Sequence, residues 1–137
     1  MASIVVLCIC CTPEPQQIHY GEDKCDYCRM TIVDPRFAAE AITPKGKVLK
    51  FDAIECMIDM KHAEEDGYFN RLFVNDYLGG KQFADASACT YLISEQIPSP
   101  MGKYLSAYLS ESAANEMQQT HGGTVYSWDA LLLRFTD

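Results

Sequence analysis

Hydrophobic positions along this chain fall in short runs broken by turn residues, with few long helical stripes. Residues 37–42 (FAAEAI) are almost wholly apolar and lie between Pro35 and Pro44, which predicts a strand. Pro44-Lys45-Gly46-Lys47 is turn chemistry, and Val48-Leu49-Lys50-Phe51 returns as a second strand, making a hairpin. A helix is then predicted from Asp52 to about Glu65, with Asp52 and Glu55 spaced as a capping box and Asp66-Gly67 as its stop. Ile54, Met57, Ile58 and Lys61 follow its period. Residues 71–75 (RLFVN) read as a strand, 77–81 with Gly79-Gly80 as loop, and 88–94 (ACTYLIS) as another strand.

The second half reads similarly. Residues 103–109 (KYLSAYL) alternate as a strand, and Ser110 to His121 form a helix ended by Gly122-Gly123. Residues 124–128 are a strand, and Asp129 opens a final short helix. Gly46-Lys-Val-Leu-Lys-Phe-Asp-Ala-Ile54 also aligns with Gly123-Thr-Val-Tyr-Ser-Trp-Asp-Ala-Leu131, an offset of 77. This predicts an α+β protein of two related β-rich units, each too small for a large core of its own. The units should pack together, and a ligand could sit between them.

The N-terminus follows another pattern. Residues 1–11 (MASIVVLCICC) carry no charge and give way abruptly to the polar, Pro-rich stretch 12–17. An apolar run ending in cysteine before an extended linker looks like the end of a bacterial lipoprotein signal peptide. Cys11, preceded by the small Cys10, is the expected lipid attachment site, and residues 12–22 the tether. The expected location is the cell envelope, as a membrane-anchored lipoprotein facing the periplasm. The alternative is a buried N-terminal strand with incidental thiols.

Composition narrows the function classes. The chain has 137 residues, a net charge of −8 and a pI near 4.7, which argues against sequence-independent nucleic-acid binding. Hydrophobic content of 48% with 22% charged residues is that of a folded domain. No apolar stretch reaches the roughly 20 residues needed to span a bilayer. No hydrolase, zinc-protease or P-loop motif occurs.

Sulfur is the conspicuous chemistry: seven Cys and six Met. Cys25-Asp-Tyr-Cys28-Arg-Met30 places two thiols close enough for one metal ion or one disulfide, with a thioether two residues on. Thiolate plus thioether is soft chemistry and selects Cu(I) over hard cations. Zinc would need further Cys or His partners at suitable spacing. A redox dithiol and a structural disulfide remain open at this point. Met101, between Pro100 and Gly102 on a predicted loop, is a second thioether candidate, and its loop and that of Met30 occupy comparable places in the repeat. His19 is the one histidine retained as an outside ligand. Cys56 and Met60 stand i, i+4 on the first helix as a secondary ligand face, although packing is the simpler role for Cys56 and Cys89. Glu22, Asp23 and Asp26 could draw a cation toward the Cys pair or simply solvate the end of the tether.

Gly21-Glu22-Asp23-x-Cys25-x-x-Cys28-x-Met30-x-Ile32-x-Asp34, Ala38-Ala39, Gly46-x-Val48-x-x-Phe51-Asp52, Ser99-Pro100-Met101-Gly102 and His121-Gly122-Gly123 occur in one order. Together they resemble the NosL family, lipoproteins of the nitrous oxide reductase system. The resemblance implies two homologous ββαβ units within residues 23–137, about 23–76 and 88–137. It implies a Cu(I) chaperone, not an enzyme, that supplies the copper-sulfide centre of nitrous oxide reductase. The implied ligands are Cys25, Cys28 and Met101, with Met30 in a less defined role. The implied partners are a copper-receiving apo-enzyme and a copper exporter, and no nucleic acid. Many family members have Gly where this chain has Arg29, so the backbone angle there is a point for the structure. The rival function is a thiol–disulfide oxidoreductase using Cys25 and Cys28.

Overall fold

The computed structural model of the chain describes Val5 and residues 12–136. Cys11, the expected lipid site, lies outside the described residues, as do Cys8 and Cys10. Seven strands and three α-helices are described: β1 (Ala39–Ile42), β2 (Val48–Phe51), α1 (Ile54–Ala63), β3 (Arg71–Asn75), β4 (Phe83–Asp85), β5 (Thr90–Ile93), β6 (Leu105–Tyr108), α2 (Glu111–His121), β7 (Thr124–Ser127) and α3 (Trp128–Arg134). The strands form two antiparallel sheets, ordered β2-β1-β3-β4 and β6-β5-β7. The fold is α+β, as the sequence predicts. No helix among the described residues is long and apolar enough to cross a membrane.

The two halves share one connectivity. β1-β2-α1-β3 and β5-β6-α2-β7 are each a hairpin, a helix and a third strand that pairs with the first. This corrects the repeat register. Starts of equivalent elements are 57 residues apart, Val48 to Leu105 and Ile54 to Glu111, not 77. The nine-residue match pairs β2-into-α1 with β7-into-α3, which hold different places. Its physical basis is local: both segments run from a glycine through a short strand into a helix. The Met30 and Met101 loops are likewise not equivalent, because Met101 lies between β5 and β6 whereas Met30 precedes β1.

One core joins the sheets. Ala39, Ala41, Leu49, Phe51 and Val74 of the first meet Tyr91, Leu105 and Ala107 of the second, with Ile54, Met57 and Ile58 of α1 and Leu131 of α3. Each large side chain fully buried here contributes about 1.5–3 kcal/mol. On the other face of the second sheet, Leu92 and Tyr108 pack with Ala114 of α2.

Several boundaries differ from expectation. Phe37 belongs to a 3-10 turn over Pro35–Phe37, capped by Asp34, so β1 starts only at Ala39. β4 adds an edge strand that the sequence pattern does not predict, since three residues carry too little periodicity to read. β5 begins at Thr90 because Ala86–Ala88 form another 3-10 turn. The capping box also fails. The N-cap of α1 is Ala53, which makes no side-chain cap, and Asp52 lies one residue too early. Ser110 does cap α2, accepting from the Ala113 amide, and Ser127 rather than Asp129 caps α3.

Residues 12–22 are not a free tether along the described length. Ile18 is buried, the Gln16 amide donates to Glu40 Oε2 at 2.8 Å, and Arg71 reaches the Pro13 carbonyl at 2.9 Å. This segment flanks a cleft of about 650 Å3 against the β3–β4 edge. That cleft holds no thiol in its lining, so it is not where the soft donors converge.

Candidate metal centre

Cys25 and Cys28 sit at the tip of a small hairpin. The Gly21 amide donates to Ile32 O, Ile32 donates to Asp23 O, and Cys25 donates to Met30 O at 2.8 Å. The hairpin is fastened to the edge of β2. Asp26 and Lys50 exchange bonds, amide to carbonyl and amide to Oδ2, both at 2.8 Å. The Lys50 ammonium lies 2.7 Å from Asp23. Asp23 and Asp26 therefore dock the hairpin rather than draw a cation to it.

The chain turns back at Arg29, which has φ 69°. This is the left-handed region where glycine is at ease and other residues are strained by about 1–2 kcal/mol. The angle is thus not an ordinary one; Arg29 accepts the strain. The turn aims the Cys28 amide at Cys25 Sγ, 3.5 Å away.

Fastening this hairpin to β2 brings it against the start of α1, because the helix follows β2 almost directly. Cys56, in the first turn of α1, completes the group. The sulfurs of Cys25, Cys28 and Cys56 all lie within 4.8 Å of one another. Cys25 and Cys56 are fully buried and Cys28 is half-buried; all are free thiols. From sequence, packing is the simpler role for Cys56 and a secondary ligand face with Met60 the other. The usable signal was its position soon after the strand that receives the Cys hairpin, but sequence spacing alone could not bring the two together.

The three thiols are not equivalent. The Cys56 thiol donates to Cys25 and lowers its pKa to about 5, against the opposing effect of burial, with help from the backbone N–H groups of Asp52, Cys28 and Tyr27. Several N–H groups turned on one sulfur form an anion cradle. Cys56, as the donor to that thiolate and buried beside it, has its pKa pushed up. Burial also raises Cys28. The arrangement therefore favours the anion at Cys25 and the protonated form at Cys28 and Cys56, which limits the self-repulsion of three anions.

The thioethers lie at the margin. Met30 is 51% exposed, so it is open to an incoming group. It lines a cleft of about 370 Å3 whose wall includes Val33, Asp52, Pro98, Ser99 and Pro100. Asp52 is buried, its Oδ1 has no partner among the described residues, and burial and the Cys25 charge raise its pKa. Met101 follows this wall and packs against the core cluster that includes Cys25 and Cys56. His19 instead lies exposed, its Nδ1 3.5 Å from Asp23. Cys89 is a buried thiol raised to about 11 by burial and is not part of the group. Three thiols with thioethers nearby suit a soft, low-coordinate metal ion.

No curated protein matches the chain. The crystal structure of the copper chaperone NosL from Shewanella denitrificans superposes with a TM-score of 0.76 at 19% identity, over 86% of this chain and 95% of that one. That likeness establishes the shared fold. The NosL family model matches residues 15–133, nearly the whole described chain, and the chain belongs to the NosL family.

Proposed function

We propose that this chain is a Cu(I)-binding metallochaperone, carrying copper in the cell envelope for assembly of the copper-sulfide centre of nitrous oxide reductase. The observation that carries the proposal is the convergence of Cys25, Cys28 and Cys56 within 4.8 Å in a NosL-family chain. Soft thiolates favour Cu(I), and the thiolate at Cys25 gives the ion an anionic donor at neutral pH. Cys28, Met101 and Cys25 are the proposed principal ligands, Cys56 a further thiol donor, and Met30 an exposed thioether that a partner could displace or share. Such a set permits stepwise exchange, one sulfur leaving as an incoming ligand arrives. The donor would be a copper exporter and the recipient the apo-reductase. Lipid at Cys11 would hold the protein at the membrane, facing the periplasm.

Anaerobic titration of the reduced protein with Cu(I) against a competing chelator tests this. Tight binding of one ion, weakened by Cys28→Ser and by Met101→Ala, is expected. Weak binding, or binding unmoved by both changes, overturns it. Tight binding without transfer to apo-reductase would leave copper storage as the function. The low pKa of Cys25 also suits a thiol–disulfide oxidoreductase. Weak copper binding together with rapid, reversible Cys25–Cys28 disulfide exchange would favour that alternative.

A further inference from the structure

Glu55 is a buried carboxylate that the ligand set does not use. It is fully buried on α1, immediately before Cys56. The spacing that suggested a cap gave it a task it does not perform, since α1 has no side-chain cap. Its Oε1 accepts the Ser99 hydroxyl and, at 3.4 Å, the Leu105 amide. Its Oε2 has no partner among the described residues. A buried carboxylate with an unpartnered oxygen costs folding free energy, so its retention calls for a role that an apolar side chain would not fill.

The two groups it holds are the two ends of one loop. Ser99 opens the Ser-Pro-Met-Gly turn and Leu105 begins β6, with Met101 between them. Ser99 closes the loop a second time, because its Oγ accepts the Tyr104 amide at 2.9 Å and its carbonyl accepts the Gly102 amide at 3.0 Å. Tyr104 has φ 61° and Gly102 φ 71°, so this short loop takes two left-handed turns. Tyr104 is strained there and needs surrounding contacts to hold it. Glu55 supplies such a contact from the helical turn that carries Cys56.

We propose that Glu55 is a positioning residue: by gripping Ser99 and Leu105 together, its carboxylate fixes the Met101 loop to the turn of α1 that presents Cys56, and so sets where the thioether stands relative to the thiols. This deepens the copper-carrier function and rests on Met101 being a ligand. The Ser99 hydroxyl is the handle. With the grip lost, Met101 remains in the chain but spends less time in reach of the metal.

The test is a double-mutant cycle on the reduced protein, reading Cu(I) affinity by anaerobic chelator competition in wild type, Ser99→Ala, Met101→Ala and the double variant. Ser99→Ala is expected to weaken Cu(I) binding about tenfold, or 1.4 kcal/mol, when Met101 is present, and to have no effect in the Met101→Ala background. Ser99→Thr, which keeps the hydroxyl, should restore affinity. X-ray absorption of the Cu(I)-loaded Ser99→Ala protein should show fewer sulfur neighbours than wild type. Glu55→Leu, which keeps the apolar bulk but removes both acceptor oxygens, provides a second disruption of the grip and should show the same dependence on Met101. Comparison within each background separates positioning from general loss of stability. Equal losses in both backgrounds, or none in either, overturn the positioning role while leaving Met101 a ligand. If Met101→Ala itself leaves affinity unchanged, the ligand assignment fails, and the positioning role fails with it.

Discussion

Replacing Cys56 by Ala should convert Cys25 from a thiolate to a thiol at neutral pH. The Cys56 thiol is the first cause of the depressed Cys25 pKa, about 5 against an ordinary 9. Without it the pKa should rise toward 9, held back by the N–H groups of Asp52, Cys28 and Tyr27. The consequence for copper follows from proton competition. A thiol of pKa 9 at pH 7 is about 99% protonated, so a metal must displace the proton; a thiol of pKa 5 imposes almost no such cost. The limit is a roughly 100-fold loss of apparent affinity, ~2.7 kcal/mol, which partial screening reduces toward about tenfold. At pH 9 the same competition costs only about twofold.

Two assays read this. Thiolate absorbance of the apo-protein against pH should show the lowest transition move from near pH 5 toward higher pH. Cu(I) competition at pH 7 and pH 9 should show a larger wild-type-to-variant ratio at pH 7. Cys56→Ser separates hydrogen bonding from ligation: its hydroxyl can still donate to Cys25, but it is a poor soft ligand. An Ala variant with an unchanged thiolate titration, or an affinity ratio equal at both pH values, would refute the reasoning. A loss shared by Ala and Ser at pH 9 measures Cys56 as a ligand.

Three further outcomes are expected. Arg29→Gly relieves a left-handed residue worth about 1–2 kcal/mol but adds glycine's unfolded-state entropy, leaving a net gain of about 0.5–1 kcal/mol; thermal unfolding should show a Tm rise of a few degrees. Gly123→Ala should destabilise the protein by at least about 3 kcal/mol, because its Cβ would lie 2.2 Å from the Ile93 carbonyl oxygen at φ 98°; denaturant unfolding measures the loss. Burial raises Glu40 from 4.5 to about 7, so the folded state holds a proton the unfolded chain releases. That contribution is complete below pH 4.5 and is lost as pH rises through about 7, on the order of 2 kcal/mol after screening. Glu40→Gln should flatten the stability profile over this window, as chemical denaturation at several pH values would show.

Much of the fold was legible because it is written in local chemistry. Pro44-Lys45-Gly46-Lys47 makes the first hairpin, and Ser110 and Gly122 bound α2, as short-range turn and cap rules require. The sulfur pattern, Cys25 and Cys28 followed by Met30, with Met101 on its own loop, already pointed toward a soft metal. What sequence alone determined was the short-strand α+β class, the thiol pair and the kind of ion it suits.

Tertiary structure decided what lies between distant segments. Cys56 joins Cys25 and Cys28 only because Asp23 and Asp26 fasten the Cys hairpin to β2, and β2 leads straight into α1. Glu55 has the spacing of a cap, yet burial turns it toward Ser99 on the β5–β6 connection. The repeat register was misleading for the same reason: two stretches can share a local strand-into-helix pattern while occupying different places in the sheets. Local propensity acts over a few residues, whereas a three-sulfur site and a buried carboxylate depend on which surfaces must be hidden from water together.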